Sequence, residues 1–176
     1  ALAGGVYNTG TIGSGSVAGI YLASNASLLA GLTNSGSIGG AVTGIKLAQS
    51  SLSGGLYNTG IVEGSTYALY VDTNSALSGG ITIAGATATF VGALGNAGLI
   101  QDGVNVNAGA LAGGVYNTGT IGSGSVAGIY LASNASLLSG LTNSGSIGGA
   151  VTGIKLAQSS LSGGLNNTGI VAGSSF

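Results

Sequence analysis

The chain has 176 residues, among them 38 Gly and no Pro, Cys, His, Met or Trp, and its only charged side chains are Lys46, Lys155, Glu63, Asp72 and Asp102. A net charge of −1 with two lysines excludes the basic stripe that captures nucleic acid by displacing counterions, and it leaves little to hold anionic lipid. Apolar residues make up 44%, too many for a disordered linker, yet Gly, Ser, Thr and Asn interrupt every apolar run short of the ~18 residues of a membrane span.

Ala1–Gly5 has neither the charged region nor the apolar stretch of an export signal, so none is expected there. The first unit reads Leu2-Ala-Gly-Gly-Val-Tyr-Asn-Thr-Gly-Thr-Ile12, then a Gly/Ser turn and the alternating patch Ile20-Tyr-Leu22. Leu28 opens a second unit with Leu32, Asn34 and Ile38, ending in Ile45-Lys-Leu47. Leu52-Ser-Gly-Gly-Leu-Tyr-Asn-Thr-Gly-Ile-Val62 opens a third, followed by Leu69-Tyr-Val71. The fourth starts at Leu77 and is longer, with extra residues around Ile83–Gly95 before Asn96-Ala-Gly-Leu-Ile100 resumes the pattern. Residues 1–67 then recur at 110–176, differing only at Ala30/Ser139, Tyr57/Asn166, Glu63/Ala172, Thr66/Ser175 and Tyr67/Phe176. The chain is thus a 109-residue cassette, 1–109, followed by a partial second copy, 110–176. Aligned on Leu2, Leu28, Leu52, Leu77, Leu111, Leu137 and Leu161, the units are spaced by 26, 24, 25, 34, 26 and 24 residues.

Each unit holds three short stretches of in–out alternation, the period of a strand, and Gly breaks any helical register. Three strands and three turns in about 25 residues describe one coil of a parallel β-helix, and stacking coils buries the apolar face that a single coil leaves open. The expected fold is therefore an all-β solenoid, one domain of about seven coils of 24 to 26 residues with one longer 34-residue coil. Equivalent residues should lie over one another about 4.8 Å apart. That predicts one interior row from the leucines above. A second runs through Val6, Leu32, Leu56, Ile81, Val115, Leu141 and Leu165, and a third through Ile12, Ile38, Val62, Ile100, Ile121, Ile147 and Val171. A fourth takes Ile20, Ile45, Leu69, Val104, Ile129 and Ile154, with Leu22, Leu47, Val71, Val106, Leu131 and Leu156 beside it. The column Asn8, Asn34, Asn58, Asn96, Asn117, Asn143 and Asn167 should point inward at a corner and pass amide hydrogen bonds from coil to coil. The Thr/Ser-Gly after each Asn supplies a residue tolerant of positive φ.

Candidate chemistry is sparse. Without His or Cys, neither a Ser-His-Asp nor a Cys-His arrangement nor the usual zinc site can form. The carboxylates Glu63, Asp72 and Asp102 are not spaced as a pair flanking a bond, and Ala172 replaces Glu63 in the second copy. Gly13-Ser-Gly15 lacks the Lys-Ser/Thr of a nucleotide loop, and calcium-binding nonapeptides are absent. The sequons at Asn25, Asn134 and Asn166 match the chance level of so Asn/Ser/Thr-rich a chain. No enzyme, cofactor or metal is expected. The outward tyrosines are the candidate contact residues, Tyr7, Tyr57 and Tyr116 at one position and Tyr21, Tyr70 and Tyr130 at another, where they alternate with Lys46 and Lys155. They either stack along the exposed sheet or form a strip for a sugar, a surface or a sister molecule. The pairs Thr9/Thr11, Ser35/Ser37 and Thr118/Thr120 raise ice binding as a remote alternative, although Ile61 and Leu99 interrupt the regular Thr array such a face needs.

The recurring Asn-Thr/Ser-Gly-x-Ile corner, with Gly-Ile-Tyr-Leu and Leu-x-Gly-Gly, resembles the repeats of bacterial autotransporter passenger domains and related large surface adhesins. The resemblance spans all seven units. It implies a right-handed parallel β-helix exported to the cell surface or beyond, acting as stalk, adhesin or biofilm-matrix element. Its implied partners are a host or cell-surface glycan or protein, or the chain itself. No membrane-anchoring barrel or capping segment is recognisable, so the segment is expected either to belong to a longer array or to join end to end as a filament or lattice.

Overall fold

The computed structural model describes residues 1–13, 15–122, 124 and 126–174. Ser14 of the Gly13-Ser-Gly15 stretch and the closing Ser175-Phe176 lie outside the described residues. Among the described residues there are 28 strands of two to six residues and no helix. The first circuit consists of β1 (Val6–Asn8), β2 (Thr11–Ile12), β3 (Ala18–Ala23) and β4 (Ser27–Leu28). Each begins its own seven-stranded parallel sheet, called sheets 1 to 4 below, and successive circuits add one strand to each. The fold is a β-solenoid of about seven turns, with four strands per turn rather than the expected three. The additional strand is the Ser-Leu or Ala-Leu dipeptide around the repeating leucine, which pairs on its own account.

The sequence dictates this locally. Each strand carries one or two aliphatic side chains inward, and Gly-rich corners turn the chain after a few residues. Parallel pairing then satisfies the backbone and stacks like on like. Leu28, Leu52 and Leu77 form one dry row, and Ile38 and Val62 belong to another that begins at the half-buried Ile12. At about 4.8 Å per coil the stack is roughly 34 Å long. In the Asn-Thr/Ser-Gly corners that lie over another coil, from Gly36 onward, the glycine is needed for room, not for φ. Positive φ belongs instead to the second glycine of the Gly-Gly corners, such as Gly55 at 79°. A Cβ on Gly60 would collide with the carbonyl oxygen of Gly36 in the coil below.

The fourth unit is neither a bulge nor a 34-residue coil. Sheet 1 runs through Val6, Leu32, Leu56, Ile81, Val104, Ile129 and Ile154, so its coils are 23 to 26 residues long throughout. The extra residues complete half a turn. Thr89–Phe90 takes the sheet 2 position between Val62 and Leu111, and Ala93–Asn96 takes the sheet 3 position. Phe90 fills its place as the largest fully buried side chain.

Every expected row therefore changes sheets at this point. The row through Leu2, Leu28, Leu52 and Leu77 continues into Ile100, Ile121, Ile147 and Val171, not into Leu111, Leu137 and Leu161. Those leucines instead continue the row of Ile12, Ile38, Val62 and Phe90. Ile20, Ile45 and Leu69 are followed by Leu94, Val115, Leu141 and Leu165, while Ile81 is followed by Val104, not Val115. Val106 accordingly pairs with Ile83 rather than Val71. Equivalent residues show the offset directly: Val6 is on sheet 1 and Val115 on sheet 3, Ile20 on sheet 3 and Ile129 on sheet 1. A cassette spans four and a half coils, and its second copy is turned by half a circuit.

Candidate functional site

The half-turn divides the asparagine column into two ladders on alternate sheets. Asn8, Asn34 and Asn58 lie at the end of sheet 1, and Asn96, Asn117, Asn143 and Asn167 at the end of sheet 3. Within each ladder Nδ2 donates to Oδ1 of the next coil, at 2.7 Å from Asn34 to Asn58 and 2.7 Å from Asn117 to Asn143. Each amide also donates to the carbonyl two residues on, as Asn34 does to Gly36 and Asn117 to Gly119. Asn34, Asn58, Asn117 and Asn143 are buried, so these bonds replace hydration that folding removes. The ladders end against aliphatic neighbours, because Asn58 lies next to Ile83 and Asn96 next to Val71. In consequence Oδ1 of Asn96 is buried with no hydrogen-bond partner.

The tyrosines are regrouped by the same offset. The outward row of sheet 1 is Tyr7, Thr33, Tyr57, Thr82, Asn105, Tyr130 and Lys155. That of sheet 3 is Tyr21, Lys46, Tyr70, Gly95, Tyr116, Thr142 and Asn166. Tyr130 thus joins Tyr7 and Tyr57, and Tyr116 joins Tyr21 and Tyr70, correcting the expected grouping. Each face now carries both kinds of tyrosine. The lysines sit over rings one coil below, Lys46 Nζ 5.5 Å from the Tyr21 centroid and Lys155 Nζ 5.1 Å from that of Tyr130. These are cation–π contacts that hold the ammonium groups against the face. The Thr/Ser positions divide likewise, into Thr11, Ser37, Ile61 and Thr89 on sheet 2 and Leu99, Thr120, Ser146 and Ile170 on sheet 4.

Tyr67 is a contact residue that the repeat pattern did not single out. A register irregularity between Tyr67 and Leu69 lets its ring stack on Tyr70, with centroids 4.9 Å apart. Both rings lie over Gly95, where a Cβ would come within 2.6 Å of Tyr67 and 2.8 Å of Tyr70. Burial, then the Asp72 carboxylate, then Tyr67 raise the Tyr70 phenol above its ordinary value. The available signal was an aromatic at a position where the other copies of the unit carry Ala or Thr, as at Ala18 and Thr43.

The acids are scattered. Glu63 is exposed on sheet 2, Asp72 follows sheet 3 and accepts from the Thr73 backbone at 2.7 Å, and Asp102 lies in the corner before Val104. Among the described residues no three His, Cys, Asp or Glu side chains gather where they could hold a metal ion. The arrangement can therefore present repeated aromatic, hydroxyl and amide groups on two faces, each anchored on a rigid ladder. No protein-family model matches the chain, and neither a curated protein nor a solved structure matches it.

Proposed function

We propose that the chain is a structural or adhesive rod of a bacterial surface protein, extracellular and without catalytic activity. What supports this is the pair of outward rows on sheets 1 and 3, in which Tyr7, Tyr21, Tyr57 and Tyr116 stay exposed on strands locked by the core beneath. A single exposed ring binds weakly. Rings repeated on a stiff scaffold engage a surface together, and effective concentration then raises avidity without a strong individual site. The surface location rests on the resemblance of the repeats to adhesin passenger domains.

The test is retention of host and bacterial cells by beads coated with the chain. Retention should increase with coating density and fall at least tenfold when Tyr7, Tyr21, Tyr57 and Tyr116 are all changed to Ala. Beads that retain no cells at any density refute the adhesive role.

A second reading, a self-assembling filament, has its own support. The apolar rows are uncovered at both edge coils, with Leu2 54% and Leu165 52% exposed. Such edges accept further coils, from the same chain or from another molecule. Negative-stain microscopy distinguishes the readings: separate short rods favour the adhesive one, and fibres lengthening with concentration favour assembly.

A further inference from the structure

A groove lies on each tyrosine face, beside the half-turn. Along sheet 1 the strands starting at Ile81 and Val104 are approached by the tight corners Gly79-Gly80 and Asp102-Gly103. Together with Val126, Ala127 and Tyr130 of the next coil, these corners border a groove of about 370 Å³. On sheet 3 a second groove of about 430 Å³ lies between Tyr67 and Tyr116.

The geometry points to the sheet 1 groove as a binding site for a short neutral oligosaccharide. This assignment names a ligand class for the adhesive reading and rests on it. The floor carries Thr82 and Asn105, one coil apart. Tyr130 and Lys155 continue the row upward, and Asp102 lies opposite, its carboxylate so close to Gly124 that a Cβ there would come within 2.6 Å. Among the described residues no side-chain hydrogen bond within the protein engages Thr82, Asn105 or Asp102, so their polar atoms remain available.

Three features select the ligand. One carboxylate and one ammonium leave the groove without net charge, which disfavours a strongly anionic or cationic molecule. A hydroxyl, an amide, a carboxylate and an ammonium together match a ligand bearing both donors and acceptors along its length. The Tyr130 ring with the exposed Val126 gives the apolar surface on which the C–H face of a sugar ring packs. From Thr82 to Lys155 is three coil spacings, about 14 Å, so the site is elongated along the rod.

The experiment titrates the 176-residue chain, isotopically labelled, with maltotriose, cellotriose, triacetylchitotriose and mannotriose, and with trigalacturonate as the anionic comparison. At least one neutral trisaccharide should shift the amide resonances of Gly80, Asn105 and Tyr130. Tyr130→Ala should weaken that binding at least tenfold and Asp102→Asn severalfold. Glu63→Gln, exposed on the sheet 2 face, should leave it unchanged. The assignment is overturned if no neutral trisaccharide binds, if trigalacturonate binds more tightly than all of them, or if Glu63→Gln weakens binding as much as Tyr130→Ala. It is likewise overturned if Asp102→Asn and Tyr130→Ala both bind as the parent does. Failure here with cells still retained on beads removes the groove but not the adhesive rod, whereas loss of retention alone removes the rod reading.

Discussion

The polarity of the asparagine ladders predicts that chemically identical substitutions have very different costs. In each ladder the amide donates toward the next coil, so removing a member strands the acceptor above it and not the donor below. Asn117→Leu deletes the donor to Asn143 Oδ1 and also the amide bonds to the Gly119 and Ser146 carbonyls. The two carbonyls lose little, since Gly119 still accepts the Ser146 N–H. Asn143 Oδ1 is left buried and unpaired, a penalty of about 1–3 kcal/mol, and the lost bonds add about 1 kcal/mol each at most, for a total near 3–4 kcal/mol. Asn58→Leu strands nothing. Asn34 Nδ2 keeps the Gly36 and Ile61 carbonyls, Gly60 keeps the Thr89 N–H, and the new leucine meets Ile83. Its cost should be about 1 kcal/mol. Asn96→Leu falls between, because it strands Asn117 Oδ1 while removing an oxygen already unpaired. Urea unfolding followed by far-ultraviolet circular dichroism should rank the midpoints Asn58→Leu, Asn96→Leu, Asn117→Leu from highest to lowest. Equal midpoints, or Asn58→Leu as the least stable, would refute directional ladders.

The half-turn register is tested by paired cysteines. Thr82→Cys with Asn105→Cys should cross-link on oxidation, because these outward residues are partners about 4.8 Å apart, within disulfide reach. Thr82→Cys with Tyr116→Cys should not cross-link, and the opposite result would restore an unshifted stack. Gly60→Ala should lower stability by about 3 kcal/mol or more, since its Cβ meets the backbone of the coil below, and a midpoint change under ~0.5 kcal/mol would contradict that close approach. Tyr70 holds its proton more tightly in the folded chain than the ordinary value of 10.0. Stability from that difference is complete below this pH and is lost as pH rises through the folded value. Unfolding midpoints measured from neutral to strongly alkaline pH should fall more steeply for the parent than for Tyr70→Phe, and identical slopes would show that Tyr70 contributes nothing.

Much of the architecture was legible because stacking in a parallel solenoid repeats residue types at the coil length. Leu28, Leu52 and Leu77 announce their row by spacing alone, as do Asn8, Asn34 and Asn58. The half-turn was not legible, for a definite reason. The Val-Tyr-Asn and Ile-Tyr-Leu strands both place an aliphatic residue inward and a tyrosine outward, so either packs over the other. Val115 over Leu94 and Ile129 over Val104 bury as well as like over like. Only the asparagine distinguishes the two strands, and only by what it loses at the junction. Tyr67 escaped because the register irregularity beside Leu69 places its ring on Tyr70, outside the regular alternation.

The junction carries a cost that a whole-number repeat would avoid: both ladders are interrupted, and one buried oxygen is left unpaired, worth about 1–3 kcal/mol. Burial of Phe90 in the sheet 2 row is of similar size, about 1.5–3 kcal/mol, and offsets it locally. Folding therefore does not require a repeat of whole coils, and the half coil has its main consequence at the surface. With whole coils, Tyr116 would extend the row of Tyr7 and Tyr57 on one face. With the half coil, Tyr116 stands on the sheet 3 face and Tyr130 on the sheet 1 face, so the second copy shows each side what the first showed the other. Whole coils would leave two unlike rows, Tyr7, Tyr57 and Tyr116 on one face and Tyr21, Tyr70 and Tyr130 on the other, whereas the half coil gives both faces the same mixture. In the proposed adhesive role, the half-turn lets both sides of the rod engage the same kind of surface.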